Sequence, residues 1–289
     1  LLKVSRPGLW FPTLWLYFAV LPRPLPSDDY RFWLGLAFVT FPLNFVVYGW
    51  NDTMDAATDA LNPRKDSYLF GARPTPAERE RLPSFVMGVA ALSFTALIAA
   101  SWSRGGGCAA AAMAGVLCAV VAINWLYNNV AGGLKQRPPW ELLAQVGYLL
   151  VVPVSCWLNA VPLPGWPAWL YLSMFAVQSH LIGEVMDIEP DRRSGRRTTA
   201  TSIGIRRTKL LILALVLAEC VVVGVWMDAL PLTLLLVGAC LWLILDLTWL
   251  FRDRQTYTLR EMRLAGFGSN ALALFSAAYV WHSGCLAGL

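Results

Sequence analysis

Nine apolar stretches, at about 9–27, 31–50, 83–101, 108–128, 141–160, 167–187, 209–227, 230–250 and 264–288, leave this chain little choice of fold. Each is long enough to cross a hydrocarbon layer about 30 Å thick as an α-helix. Backbone inside lipid has no water to bond, so only helices or a closed barrel can span it, and runs of this length select helices. Composition agrees: of 289 residues 57% are apolar and 14% charged, the profile of an integral membrane protein rather than a water-soluble enzyme. The expected fold is all-α, a single domain over residues 1–289 built as a polytopic bundle of nine transmembrane helices.

The basic residues give the bundle a direction. Of 23 Lys and Arg, 20 fall in the N-terminal segment and in the connections after the second, fourth, sixth and eighth stretches, and only 3 in the remaining ones. Basic loops stay on the cytoplasmic side or its organellar equivalent, so the charged loops are expected there. The net charge of +5 is concentrated rather than spread and calls for no nucleic-acid partner; the expected surroundings are the lipid bilayer. Trp10, Trp15, Trp33, Trp50, Trp102, Trp125, Trp140 and Trp249 stand near predicted helix ends and read mostly as an interfacial belt. Six cysteines without a Cys-x-x-Cys pair read as reduced packing residues. Glu219 and Asp246 lie inside apolar stretches, where ionisable groups are costly, and are expected to pair within the bundle.

Asn51 to Asp59 reads Asn-Asp-Thr-Met-Asp-Ala-Ala-Thr-Asp and sets Asp52, Asp55 and Asp59 at i, i+3 and i+7. On one helix these positions share a narrow face, where three carboxylates repel unless cations lie between them or their pKa values rise. Oxygen donors without cysteine suit a hard cation such as Mg²⁺, which typically bridges a few carboxylates to a phosphorylated substrate. Glu184, Asp187 and Asp191 repeat the spacing, each 132 residues beyond its counterpart, and the register continues from Arg64 and Lys65 to Arg196 and Arg197. Two acidic helix ends, each followed by a basic pair, can hold two or more Mg²⁺ around one diphosphate, with the basic pairs on the remaining oxygens. A single triplet would more simply be a solvated face; duplication at one offset argues against that.

Asn-Asp-x-x-Asp-x-x-x-Asp at 51–59, Asn62-Pro63-Arg64-Lys65 after it, and Glu-x-x-Asp-x-x-x-Asp-Arg at 184–192 with Gly195 and Thr198 following resemble the UbiA superfamily of intramembrane prenyltransferases over nearly the whole chain. The resemblance implies two aspartate-rich motifs that bind Mg²⁺ and an isoprenyl diphosphate, and an allylic carbocation generated inside a helical bundle. Two features depart from it: Glu184 opens the second motif where the family often has Asp, and residues 66–72 set Arg73-Pro74 away from the first motif. The expected metal ligands are Asp52, Asp55, Asp59, Glu184, Asp187 and Asp191, and all of these but Glu184 are the expected catalytic residues. Substrate contacts are expected from Asn51, Arg64, Lys65, Arg73, Lys135, Arg196 and Arg197, with Asn124, Asn128 and His180 bordering the cavity.

Three functions compete. The leading one ionises an isoprenyl diphosphate and transfers the prenyl group to a lipophilic acceptor. A terpene cyclase of the same superfamily would use the same motifs, with an alkene of the substrate itself capturing the cation. A transporter is the third, since duplicated membrane bundles are common among transporters, but their charged sites usually sit near the midplane rather than at helix ends followed by basic pairs.

Overall fold

The computed structural model describes residues 1–129, 133–251, 254 and 257–287. Among them no β-strand occurs, only an isolated bridge between Ser67 and Gly71. The helices are α1 (Phe11–Phe18), α2 (Tyr30–Val39), α3 (Phe41–Met54), α4 (Ala56–Leu61), α5 (Pro76–Asn128), α6 (Trp140–Gln145), α7 (Val151–Asn159), α8 (Trp166–Arg193), α9 (Thr199–Ile203), α10 (Ile205–Val221), α11 (Leu230–Leu245) and α12 (Leu259–Ser283).

Among the described residues six helical stretches are long and apolar enough to cross a membrane: 30–54, 76–128, 140–159, 205–226, 230–250 and 259–283. The difference from nine apolar stretches has local causes. The first stretch forms only the eight-residue α1, because Pro22, Pro24 and Pro26 follow it and proline cannot continue a helix. The third and fourth merge in α5, whose 53 residues are interrupted at Gly105 and at Gly106, with φ 65° and ψ −154°. That backbone region is open essentially to glycine alone. The chain turns back there. Val86 on the first arm packs so closely on Gly49 that a β-carbon would lie 2.7 Å from it, and Asn124 on the second arm donates to the Val46 carbonyl of the same helix. The sixth stretch is α8, whose polar residues, His180 to Arg193, dilute its hydropathy.

Between α2 and α3 the helix breaks at Thr40, two residues before Pro42. The carbonyls freed there are taken up inside the bundle: the Asn44 amide donates to Val39 O (2.9 Å) and Thr40 O (2.7 Å), and the Thr13 hydroxyl to Val39 O (2.7 Å). Tyr17, fully buried, donates its hydroxyl to Phe32 O at 2.7 Å, while its own carbonyl accepts from Ser155 at 2.7 Å, so α1, α2 and α7 close around one core. Outward-facing side chains such as Leu92, Phe267, Leu274 and Phe275 stay exposed. An apolar surface of this extent suits lipid rather than water.

Three expectations about lone residues divide here. Trp33, Trp102, Trp125, Trp140 and Trp249 are exposed, as belt residues would be, whereas Trp15 is a core residue stacked on Phe175 at 5.9 Å. Asp246 pairs with Lys209 at 2.6 Å rather than with Glu219, whose two oxygens have no hydrogen bond among the described residues. All six cysteines are free.

The turn in α5 makes a controlled prediction. Gly106→Ala is expected to destabilise the protein by about 1–3 kcal/mol through its backbone alone, because nothing lies within 4 Å of the added carbon. Gly115→Ala, equally unhindered but helical, is expected to be neutral or stabilising by up to about 1 kcal/mol. Thermal unfolding of the two variants in one detergent compares them directly.

Candidate active site

The two acidic motifs are built differently despite equal spacing. Asp52 sits in the last turn of α3, Asp55 at the junction with φ −96° and ψ 15°, and Asp59 in α4. The first three acids therefore do not share one unbroken helix. Hydrogen bonds from Asp55 N to Asn51 O (2.9 Å) and from Asp59 N to Asp55 O (2.8 Å) keep the run coiled across the break. Glu184, Asp187 and Asp191 all lie within α8, which continues through Pro190 to Arg193.

Ion pairs cross between the halves. Arg64, just past the first motif, pairs with Asp187 of the second; Arg196, just past the second, pairs with Asp55 of the first at 3.3 Å and lies 3.9 Å from Asp191. Lys65 bridges Asp52 (2.7 Å) and Asp59 (2.8 Å). Lys135, buried in the short turn before α6, pairs with Asp55 and donates to Asn128 Oδ1 at 3.0 Å. Asn128 in turn donates to the side-chain oxygen of Asn124 at 2.9 Å. Arg73 donates to Asn62 O at 2.8 Å, and the Asn62 amide donates to Asp187 at 2.9 Å. The expected acids, Arg64, Lys65, Arg73, Asn124, Asn128, Lys135 and Arg196 are thus brought into one region.

The remaining expectations fare differently. Arg197, matched to Lys65 by the repeat, is exposed and takes no part in the ion pairs. Asn51 contributes its main-chain carbonyl. His180 Nε2 lies 3.2 Å from Glu184 Oε1, and its ring meets that of Tyr127 edge-on at 6.3 Å. Glu184 itself accepts the Ala200 N–H at 2.9 Å.

Sequence reasoning missed Arg6, which reaches Asp52 at 2.8 Å and lies 4.2 Å over the Tyr48 ring. It counted there only as one basic residue among many. The segment 66–72 explains how Arg6 arrives: Tyr68 O accepts the Gly8 N–H at 3.0 Å, Asp66 pairs with Lys3 at 2.8 Å, and Gly71, at φ 104°, passes so close that a β-carbon would lie 2.8 Å from Arg6 Nε. Residues 66–72 thus fasten the N-terminal segment beside Asp52. Glu141 was also missed; it is fully buried and accepts from the Thr199 N–H and hydroxyl at 2.7 and 2.6 Å.

Burial and charge oppose one another throughout. Burial raises the Asp55 carboxyl, but the Arg196 and Lys135 charges prevail and hold it below the usual carboxylate range. Asp59 goes the other way, because burial and the neighbouring Asp52 outweigh Lys65. Burial likewise pulls the Lys135 ammonium down against Asp55. The Arg6 and Arg196 guanidiniums also lose hydration, yet Asp52 and Asp55 respectively keep both above the ordinary arginine value. Chemically this is a dense layer of carboxylates and cations at one end of an apolar bundle, suited to an anion that arrives with its own metal.

Comparison with known proteins agrees. Residues 9–280 match the UbiA prenyltransferase family. The chain is 25% identical over 226 residues to a lycopene elongase/hydratase of Corynebacterium glutamicum, covering 77% of this chain and 76% of that protein. It is 30% identical over 233 residues to a lycopene elongase/hydratase of Haloferax volcanii, covering 67% of each. The fold superposes on that of a UbiA homolog from Archaeoglobus fulgidus bound to DMAPP and Mg²⁺ with a TM-score of 0.70 at 16% identity, covering 100% of this chain and 99% of that one. With its apolar helices and this match over nearly its full length, the chain is a multi-pass membrane protein that belongs to the UbiA prenyltransferase family.

Proposed function

We propose that this protein ionises an isoprenyl diphosphate at the crossed ion-pair layer and transfers the prenyl group to a linear, lipophilic polyene, releasing diphosphate. The observation that carries the reading is the exchange of partners between motifs, Arg64 on Asp187 and Arg196 on Asp55, which makes two distant stretches of sequence one site.

Mg²⁺ fits the residues present. The donors are all carboxylate oxygens, and Asp52 Oδ2 is buried without a hydrogen bond. Among the described residues no three His, Cys, Asp or Glu form a ready-made metal cage. Mg²⁺ typically completes its shell with water and the substrate's own phosphates. Asp52, Asp55, Asp59, Asp187 and Asp191 would hold it, and when bound it supplies charge neutralisation to the leaving diphosphate. Structures of Archaeoglobus fulgidus UbiA homologs bound to DMAPP and to GPP, each with Mg²⁺, support the choice.

The chain's own residues supply the rest. Lys65, Lys135, Arg6, Arg64 and Arg196 are already gathered where an anion would displace them from carboxylates, so their charges can stabilise the electron pair that leaves with the diphosphate. The allylic cation left behind would meet a polyene double bond, whose π electrons form the new C–C bond; the resulting cation loses a proton or takes up water. His180 with Tyr127, and Tyr48 with Tyr148, whose hydroxyls are 3.3 Å apart, provide aromatic faces and hydroxyls beside that step. The lycopene elongase/hydratase relatives support a carotenoid-like acceptor.

The proposed topology is nine spans, with α5 counted twice, α8 added, and α1 together with the segment that follows it to Asp29 making the first crossing, and with the site opening toward the cytoplasm. At the far end Asp29 pairs with both Arg31 (3.1 Å) and Arg104, so one of the three positive charges on that side is offset locally. A cysteine label near Arg73 is therefore expected to react from the cytoplasmic side and one near Gly165 from the opposite side. Finding both on one side overturns the topology.

Incubating the purified protein with C5, C10, C15 and C20 diphosphates, with and without a linear carotene, tests the function. A prenylated carotene identifies a transferase; a cyclic product from diphosphate alone identifies a cyclase; no diphosphate release at all rejects both. Turnover is expected to stop on chelation of divalent cations and in Asp55→Ala and Asp187→Ala.

The ion pairs also sort the cations. Lys65→Ala and Arg6→Ala are each expected to slow diphosphate release by about 2–4 kcal/mol, the usual loss of one preorganised electrostatic partner, with products unchanged. Arg197→Ala should stay within a few-fold of wild type, against the symmetry of the repeat. His180→Leu is expected to change the product ratio more than the release rate, measured on the same samples.

A further inference from the structure

Glu184 has the spacing of a metal-binding acid, but its oxygens face other protein groups, Oε1 toward His180 Nε2 at 3.2 Å and Oε2 toward a main-chain N–H. It is 5% exposed, and its Oε2 accepts the Ala200 N–H at 2.9 Å. Glu141, on the first turn of α6, approaches the same place from another helix and accepts the Thr199 N–H at 2.7 Å and the Thr199 hydroxyl at 2.6 Å. Two glutamates from α6 and α8 thus take the first two N–H groups of α9. Helix-start N–H groups have no partner within their own helix, and a carboxylate is a strong acceptor for them.

The segment held in this way presents Arg196. Thr201 Oγ1 donates to Arg196 O at 3.2 Å and accepts the Thr198 N–H at 2.8 Å; on the other side the Arg196 N–H bonds Asp191 O at 2.8 Å. The main chain of Arg196 is therefore tied to α8 before it and to α9 after it. Its guanidinium reaches Asp55 from that fixed base.

We propose that Glu141 and Glu184 are positioning residues that anchor the first turn of α9 and so set Arg196 toward the diphosphate, and that Glu184 is not a Mg²⁺ ligand. This rests on the prenyl-diphosphate reading above. The role requires an accepting oxygen and not a negative charge, which separates it from metal ligation. Glutamine keeps the oxygen and loses the charge; alanine loses both.

Glu141→Gln, Glu141→Ala, Glu184→Gln and Glu184→Ala are compared in the full-length protein in detergent. Three quantities are read: kcat and KM for geranyl diphosphate, the half-saturating Mg²⁺ concentration, and inorganic diphosphate binding followed by tryptophan fluorescence. Tryptic cleavage at the exposed Arg193 and Arg197 reports loosening of the segment. The alanine variants are expected to weaken diphosphate binding by about tenfold, in line with loss of a hydrogen bond to a charged group, to lower kcat/KM by at least that factor, since Arg196 also serves the departing diphosphate, and to be cleaved faster. The glutamine variants should stay within about threefold of wild type on all counts, with half-saturating Mg²⁺ unchanged.

If Glu184→Gln is as impaired as Glu184→Ala and needs about tenfold more Mg²⁺, Glu184 is a metal ligand and the proposal fails. It fails equally if Glu184→Ala binds diphosphate and resists trypsin as wild type does. Should the alanine variants not accumulate as folded protein, the Mg²⁺ requirement of the glutamine pair decides. A wild-type protein that turns over no prenyl diphosphate would reject the enzymatic reading alone, since diphosphate binding and trypsin cleavage still score the anchoring.

Discussion

The structure depends on neutralising carboxylates that it cannot afford to leave alone. Asp52, Asp55 and Asp59 are each less than 10% exposed, and an unpaired carboxylate removed from water loses several kcal/mol or takes up a proton. Around the two motifs, five carboxylates, Asp52, Asp55, Asp59, Asp187 and Asp191, are met by five cations, Arg6, Arg64, Lys65, Lys135 and Arg196. The near balance has a chemical use. A diphosphate and the divalent ions that accompany it carry opposite charges of similar size, so both can enter without a large change in net charge. The ions can take carboxylates, and the released Lys and Arg can take phosphate oxygens. Cations gathered for one purpose are thereby preorganised for the other.

Holding that layer in register falls to parts of the chain remote in sequence. Arg6 comes from the N-terminal segment, fastened by residues 66–72 through Lys3–Asp66 and the Tyr68 carbonyl. Lys135 is fixed by Asn128, which is itself held by Asn124 one turn earlier on α5. Arg196 is fixed through α9. Each of these three cations is thus oriented at least in part by a residue outside the acidic motifs, and a buried ion pair stabilises only when its geometry is enforced.

These contacts explain what was legible in the sequence. The acids, Arg64, Lys65, Lys135 and Arg196 were readable because an ionisable residue beside an apolar stretch needs a reason to be there. Arg197 was misread because a 132-residue offset preserves order along the chain but not the path of the backbone. After the second motif, Gly195 at φ 72° turns the chain so that Arg196 points back to Asp55 and its neighbour outward. After the first, a break at Asp55 and the short α4 carry both Arg64 and Lys65 inward. Arg6 was invisible because nothing local in residues 1–8 marks a contact made 46 residues away. In the fold, the hairpin in α5 was foreshadowed by Gly105-Gly106-Gly107, whereas Trp15 was taken for a belt residue because its burial depends on Phe175, a partner on α8.

Segregating the charge also determines what the apolar part of the bundle can do. Next to the cations and carboxylates stand rings and hydroxyls: Tyr48 under Arg6, Tyr148 against Tyr48, and Tyr127 against His180. A carbocation formed at the boundary would be drawn to those π faces rather than to a charged nucleophile. On the prenyl-transfer reading proposed above, excluding water would delay its capture until a double bond reached it. The apolar residues that fix the chain in lipid and the aromatic residues that would steer the cation therefore answer one requirement: charge must be released at the aqueous rim and kept out of the interior where the new bond forms.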